Sequence, residues 1–307
     1  MAAQEFSPND LTERFTPLKL SSGRVHPFLL YGTGFKGDQT GHLAKLALKN
    51  GFEGLDSANY PTAYNEVLVG DAVQEALKSG VKRKDILIQT KFTPSWAHAE
   101  GKLPYNTDQP LEQQVRESIE QSFKNLKVDH IDILLLHVPF KDEEDNLVAW
   151  KVFESFVPER ISVLGVSNFP LAAFEKLYDA AAVKPEIVQN RFHEKNGYDI
   201  GLRAFLAQKG VIYQGFFLLK ANTEARAANV VTRFAKQFEV QDEVAFYLLV
   251  LGLGKVSIVN GTTNEEHMRT DVEKVEKLLG DQKTAFAIKS YLGEFEGLLQ
   301  KIAEQRI

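Results

Sequence analysis

Short apolar runs and longer amphipathic stretches alternate eight times along this chain, and few folds accept that pattern. PFLLYGT leads into HLAKLALKN, EGLDSA into EVLVGDAVQEALKSG, ILIQTKF into LEQQVRESIEQSFKNL, and IDILLLH into NLVAWKVFESF. ISVLGVSN precedes LAAFEKLYDAAA, EIVQNRF precedes IGLRAFLAQKG, VIYQGFF precedes a helical stretch running through AFYLLVLGLG, and VSIVNG precedes NEEHMRTDVEKVEKLL. The runs are too apolar for a sheet with one wet face, and the connections are long enough for crossovers between parallel strands. Eight such units predict an α/β fold, a closed (β/α)8 TIM barrel, as one domain over residues 1–307. Two pieces lie outside the count. FTPLKLSSGRVHPF carries a hairpin signal at Ser21-Ser22-Gly23 that places a floor at the barrel's N-terminal end, and TAFAIKSYLGEFEGLLQKIAEQRI reads as an extra C-terminal helix.

Composition removes several chemistries. The chain has no cysteine, which excludes disulfides, thiolate nucleophiles, iron–sulfur clusters and Cys-type zinc sites. A formal net charge of -5 argues against wholesale binding of a phosphate backbone. The N-terminus MAAQEFSPNDLTERF is polar where a secretory signal needs an apolar stretch, and no later run is long enough to span a bilayer. The expectation is a cytoplasmic monomer with no nucleic-acid or membrane partner, acting on a small molecule.

Reacting groups in such barrels collect at the C-terminal ends of the strands. Asp56 closes the second run, Tyr64 follows it, Lys91 sits in the third and His137 ends the fourth. Taken singly, the aspartate also suits a helix cap, the lysine a solvated surface and the histidine a satisfied core position. Together they suggest a purpose, since a buried ammonium needs a carboxylate and a neighbouring phenol gives the pair something to act on. An ammonium about 4 Å from a phenol favours the phenolate by roughly 4 kcal/mol at an effective dielectric near 20. The expectation is therefore a tyrosine with a lowered pKa, polarising and protonating a carbonyl oxygen that His137 orients.

A second group surrounds the same mouth. Ser167 and Asn168 end the fifth run, Gln189 lies in the sixth and Phe216 ends the seventh. Hydroxyl, carboxamide and aromatic plane together suit a nicotinamide ring. Helix capping by Ser167-Asn168 and core packing by Phe216 account for the same residues without a ligand.

In this order and spacing, D-S-A with Y-N-E, T-K, L-L-L-H-V-P, G-V-S-N-F and K-P-E-I-V-Q-N resemble the aldo-keto reductases, especially their fungal members. The likeness runs from about residue 16 to the HMRTDV segment. It implies a (β/α)8 barrel that uses NADPH, or NADH, to reduce an aldehyde or ketone to an alcohol without metal. By that resemblance Tyr64 is the general acid, Lys91 and Asp56 its tuning pair, and His137 the orienting group. Ser167, Asn168 and Gln189 hold the nicotinamide carboxamide and Phe216 stacks on the ring, with Gly32, Thr33, Asp56 and Leu218 as further cofactor-binding positions. Gly261, Thr262, Thr263, His267 and Asp271 fall at the adenosine end.

Three departures qualify the match. The family places its tyrosine five residues after the aspartate, whereas here Tyr60 comes four and Tyr64 eight after Asp56; the following Asn65-Glu66 favours Tyr64. Gly261 and His267 stand where many NADPH-using relatives carry cations, which weakens the NADPH preference unless Thr262, Thr263 and backbone N–H groups compensate. Val138 follows His137 in place of a common tryptophan, so the substrate pocket differs in shape.

Gly32-Thr33-Gly34-Phe35-Lys36-Gly37 also matches a G-x-G-x-x-G dinucleotide motif, but its helix begins too late to receive a pyrophosphate. In the loop TPSWAHAEGKLPYNTDQP, Trp96 and Tyr105 serve either as pocket walls or as packing groups. The remaining rival is a regulatory module of the same fold that binds the cofactor without turning it over.

Overall fold

A computed structural model describes residues 16–305 of the chain. The polar stretch 1–15, read above as lacking a leader, lies outside the described residues. Two short antiparallel strands come first, β1 (Leu18–Lys19) and β2 (Val25–His26). Eight parallel strands then close a barrel: β3 (Leu29–Gly32), β4 (Gly54–Asp56), β5 (Leu87–Phe92), β6 (Ile131–Leu136), β7 (Ile161–Ser167), β8 (Ile187–Arg191), β9 (Ile212–Phe216) and β10 (Val256–Asn260). Closure is by pairing of β10 with β3, Ile258 opposite Leu29. All eight predicted runs are strands, and the fold is the predicted TIM barrel.

Hydrophobic patterning explains the layers. Outward residues such as Ile88, Leu134 and Val188 pack under the helices, while Leu87, Ile133, Val163, Ile187 and Ile212 fill the lower interior. Leu18 and Leu20 from the hairpin region join that inner cluster, which makes the hairpin a floor, as expected. Helices cover the outside, among them Thr40–Lys49, Glu66–Lys78, Leu111–Leu126 and Glu265–Gly280. The extra C-terminal helix runs from Gln282 to Glu304.

The seventh connection is more broken than the sequence suggests. It holds four helices, Leu218–Ala221, Thr223–Arg226, Asn229–Phe238 and Asp242–Leu251. Phe217 adopts φ 64° before the first of them and Glu239 φ 53° after the third, left-handed turns that stop helix propagation. The first two helices lie beside the barrel mouth, where Leu218, Leu219 and Lys220 border the main cavity.

Strand β5 shows how this fold carries polar groups in its core. Every residue from Leu87 to Phe92 is buried, yet Gln89, Thr90 and Lys91 are polar. Alternation sends Thr90 outward, where its hydroxyl donates to Glu66 Oε1 at 2.5 Å. Gln89 and Lys91 point inward, towards Asp56 on the neighbouring strand.

Candidate active site

A cavity of about 790 Å³ opens at the C-terminal ends of the strands. It runs from Tyr60, Tyr64 and His137, past Ser167, Asn168, Gln189 and Phe216, to Thr262, His267 and Asp271. Most predicted site residues border it, including Gly32, Asp56, Leu218, Gly261 and Thr263. Thr33 and Lys91 do not. Thr33 is fully buried and bonds the Asp56 carbonyl through its hydroxyl, at 2.8 Å, so it braces the end of β4 from behind.

Lys91 is also fully buried, and its ammonium donates to Asp56 Oδ1 at 2.7 Å and to the Ser57 carbonyl at 2.8 Å. The same nitrogen stands 4.9 Å from the centre of the Tyr64 ring. The Tyr64 ring in turn meets His137 edge-on, with centroids 5.9 Å apart. Gly34 makes room for that ring, since a Cβ there would lie 3.1 Å from a ring carbon and 3.3 Å from the hydroxyl. The glycine of the apparent dinucleotide motif thus has a packing reason, and the α-helix after it begins only at Thr40, beyond a single 3-10 turn at Gly37–Gln39, too late for its N-terminus to receive a pyrophosphate.

Tyr60 also meets His137 edge-on, at 5.6 Å between centroids, and touches His98 at 5.2 Å. Both tyrosines therefore converge on the histidine, and Tyr64 is the one whose ring lies against Lys91. The reach is made by the turn Tyr60–Tyr64, in which the Ala63 and Tyr64 N–H groups both donate to the Tyr60 carbonyl. That extra turn accounts for the eight-residue spacing.

The expectation of a lowered phenol pKa is not met. Burial pushes the Tyr64 phenol well above the ordinary tyrosine range, with Asp56 and Tyr60 adding to the rise. The physical reason is that a dry site disfavours the phenolate, and an ammonium already neutralised by a carboxylate at 2.7 Å projects too little net field onto the ring to offset that. Burial likewise lowers the Lys91 pKa, and Asp56 holds it back up. His137 is pushed well below its usual value by burial, then by Lys91 and His98, which makes it a neutral imidazole at physiological pH. Its Nδ1 is 2.7 Å from the Thr93 hydroxyl.

Further along the cavity, Asn168 has φ 58° and its side-chain nitrogen donates to the His137 carbonyl and to Ser167 Oγ. The helix that follows, Leu171–Ala180, has Pro170 at its cap position, so Asn168 is no helix cap. Gln189 is buried, and its nitrogen donates to Asp56 Oδ1 at 2.9 Å, leaving its oxygen for the cavity. Phe216 is half-buried and borders the cavity rather than the core, with the Arg191 guanidinium 5.8 Å from its ring centre.

The end of the cavity beside Gly261 and Thr262 holds a cation that sequence reading missed. Lys36, from the first strand-to-helix loop, donates to the Gly261 carbonyl at 2.5 Å, so it brings an ammonium to the position where the eighth unit lacks one. Lys220 and Arg191 border the same cavity. The signal for Lys36 was present, two residues after Gly34, but only closure of β10 against β3 makes it a neighbour of Gly261. Acidic groups are close too: Glu243 borders the cavity, and burial raises Asp271 to about 6 against the opposing bond from Asn260. Asn264 caps the eighth helix by accepting the His267 N–H, which withdraws one of the backbone donors expected to serve a phosphate. In the long loop, Tyr105 is a packing group, buried with its hydroxyl on the Thr93 carbonyl at 2.7 Å, while Trp96 is 47% exposed and away from the cavity.

The family model described as "Aldo/keto reductase family" matches residues 30–278, and the chain belongs to that family. It is 31% identical over 182 residues to the glyoxal reductase of Bacillus subtilis (strain 168), 58% of each chain. It is 30% identical over 203 residues to the NAD(P)H-dependent D-xylose reductase of Candida tenuis, 57% of this chain and 58% of that one. The chain thus spans a little under three fifths of the length of these curated relatives. The crystal structure of an aldo/keto reductase from Brucella melitensis shares the fold with a TM-score of 0.71 at 23% identity, covering 90% of this chain and 99% of that one. Among the described residues, no helix is long and apolar enough to cross a membrane.

Proposed function

We propose that this chain is an NAD(P)H-dependent carbonyl reductase that converts a small aldehyde or ketone into an alcohol, with Tyr64 as proton donor. The observation that carries the reading is the convergence of the Tyr64 ring, the Lys91 ammonium and the neutral His137 ring at one end of a long cavity. Family membership supports the class of reaction, and the relatives' activities as glyoxal and D-xylose reductases point to small carbonyl compounds.

The residues present fit a nicotinamide dinucleotide, whose reduced form supplies hydride when bound. Ser167, Asn168 and the Gln189 oxygen would hold the carboxamide, Phe216 would stack on the ring, and Lys36 and Lys220 would meet the phosphates. Gly261, Thr262, Thr263, His267 and Asp271 would surround the adenosine. NADPH is placed ahead of NADH, with the Thr262 and Thr263 side chains and the backbone N–H groups at the start of the eighth unit's helix compensating for the missing cations.

The chain's own groups handle the proton. A phenol whose pKa burial has raised keeps its proton throughout the neutral range, so an acid is always present. As negative charge develops on a substrate oxygen, the nearby Lys91 ammonium stabilises the phenolate left behind. With the Thr93 hydroxyl donating to Nδ1, the neutral His137 ring carries its proton on Nε2 and donates to the substrate oxygen. We further take residues 1–307 as one domain, working as a cytoplasmic monomer without nucleic-acid or membrane partners.

The test is NAD(P)H absorbance at 340 nm with a panel of aldehydes, ketones and quinones. Consumption that disappears in Tyr64→Phe supports the reading. Cofactor binding with no consumption across the panel would identify a regulatory module instead.

A further inference from the structure

Below Asp56 the barrel interior changes character. Branched apolar side chains ordinarily fill this space, yet β5, β8 and β9 send Gln89, Gln189 and Gln214 inward, all buried. Gln189 and Gln214 lie in register, and so do Gln214 and the buried Ser257 of β10. From beneath, the hairpin residue His26, 1% exposed, reaches the same level.

Two groups that can only accept, the Pro27 carbonyl below and the Asp56 carboxylate above, set the donor directions from either end, and Gln214 also returns a bond from its nitrogen to Gln89 Oε1 at 3.3 Å. His26 Nδ1 lies 2.8 Å from the Pro27 carbonyl oxygen, which can only accept, so Nδ1 carries the proton. Burial keeps the ring neutral, its pKa lowered to about 4, and Nε2 is therefore an acceptor. Gln214 Nε2, 3.1 Å away, must donate to it. That turns Gln214 Oε1 towards its neighbours, and the nitrogens of Gln89 and Gln189 donate to it at 2.7 and 2.5 Å. Both nitrogens also donate to Asp56 Oδ1, at 2.6 and 2.9 Å. With Lys91, three donors meet on one carboxylate oxygen.

We propose that His26, Gln214 and Gln89 are positioning residues: a directed hydrogen-bond chain, anchored on the Pro27 carbonyl in the barrel floor, that aims two amide donors at Asp56 and so fixes Lys91 against Tyr64. The same chain commits the Gln189 nitrogen and leaves its oxygen to meet a ligand. Well-packed apolar residues would serve stability at least as well as a buried polar network, so the network's worth lies in the orientation it imposes. The proposal rests on the reading of Tyr64 and Lys91 as the proton-donating pair.

Two measurements test it. The first follows the carboxamide proton resonances of Gln89 and Gln189 by NMR in the ligand-free protein. His26→Leu removes the acceptor that orients Gln214, Gln214→Leu removes the relay at nearly constant volume, and His26→Gln restores an acceptor. Both leucine variants should shift these resonances and speed their exchange with solvent about ten-fold or more, while His26→Gln keeps them close to wild type. The second is turnover: kcat should fall about ten-fold in the leucine variants, the loss expected for one bond to a charged group, with the carbonyl KM little changed and kcat recovered in His26→Gln. Unchanged amide signals in His26→Leu overturn the proposal whether or not the protein turns over a carbonyl. Shifted signals with unaltered kcat in an active protein overturn the positioning role. A wild type that consumes no NAD(P)H sinks the reductase reading, and the amide signals still decide on the chain. Should Gln214→Leu fail to fold, His26→Leu carries both measurements.

Discussion

The Lys91 ammonium is shared between Asp56, 2.7 Å from its Oδ1, and the face of the Tyr64 ring, whose centre lies 4.9 Å away. The carboxylate holds the ammonium charged in a dry setting, and it also damps the field that the phenol feels. The resting phenol consequently keeps its proton, and the lysine acts when charge moves onto the tyrosine oxygen.

Removing the phenol proton therefore removes the acid and little else. Tyr64→Phe should lower kcat by about 10²–10⁴-fold, the range for a positioned general acid, with cofactor affinity nearly unchanged. Tyr60→Phe should cost far less, since the Tyr60 ring meets His137 while Tyr64 is the one against Lys91. Steady-state kinetics on both variants check this, and the reverse ranking would move the acid to Tyr60.

Breaking the buried pair should be felt in the fold. Lys91→Met leaves the Asp56 carboxylate, 3% exposed, without its cation, and Asp56→Asn strands a fully buried ammonium. Each should lower stability by about 3–5 kcal/mol, with part of the loss recovered in the double variant, as read from urea midpoints.

How much of this was legible in the sequence depends on range. The eight strands, the hairpin floor and the polar strand ends follow from local periodicity, because short, mostly apolar runs such as ILIQTKF and IDILLLH carry a polar residue, Lys91 or His137, at or near the C-terminal end. Lys36 was missed because its partner Gly261 is 225 residues away and only barrel closure joins them. The amide layer was missed for a similar reason: Gln89, Gln189 and Gln214 each look like isolated polar residues in apolar runs, and their meaning appears once alternation turns all three to one side. The phenol's pKa was misjudged because pairwise charge was weighed without the ion pair that screens it.

Two buried groups should pull stability in opposite directions with pH. His26 has a folded-state pKa of about 4 against 6.5, so the unfolded chain takes its proton first. Its contribution is intact above about pH 6.5 and is lost as pH falls towards 4, by about 3 kcal/mol in total. Asp271, raised to about 6 from 3.8, behaves in the opposite sense: its burial penalty is full above pH 6 and is relieved as pH falls. Asp271→Asn keeps an acceptor for Asn260 and removes the penalty, so it should stabilise the protein at pH 7 by about 2 kcal/mol. It should also steepen the loss of stability between pH 6 and 4, because one of the buried carboxyls that oppose the His26 slope is then gone. Urea midpoints measured across that range decide it, and an unchanged slope would mean that Asp271 is not perturbed in the folded protein.

Cofactor binding should respond differently at two positions that border the cavity. Lys36 donates to the Gly261 carbonyl, and burial together with Lys220 lowers its pKa, so two ammonium groups already repel each other where a phosphate would sit. A phosphate present in both cofactors relieves that repulsion alike, so Lys36→Met should weaken NADPH and NADH by similar factors, about ten-fold or more. His267 is exposed on the first turn of the eighth helix, so His267→Arg adds a forked cation that only a 2′-phosphate can use. NADPH should tighten about ten-fold and NADH hardly at all, measured as Kd by fluorescence titration. Equal tightening of both would show that residue 267 does not face the 2′-phosphate. A loss in Lys36→Met confined to NADPH would put the 2′-phosphate at Lys36, and cofactor choice would then reside in the first strand-to-helix loop.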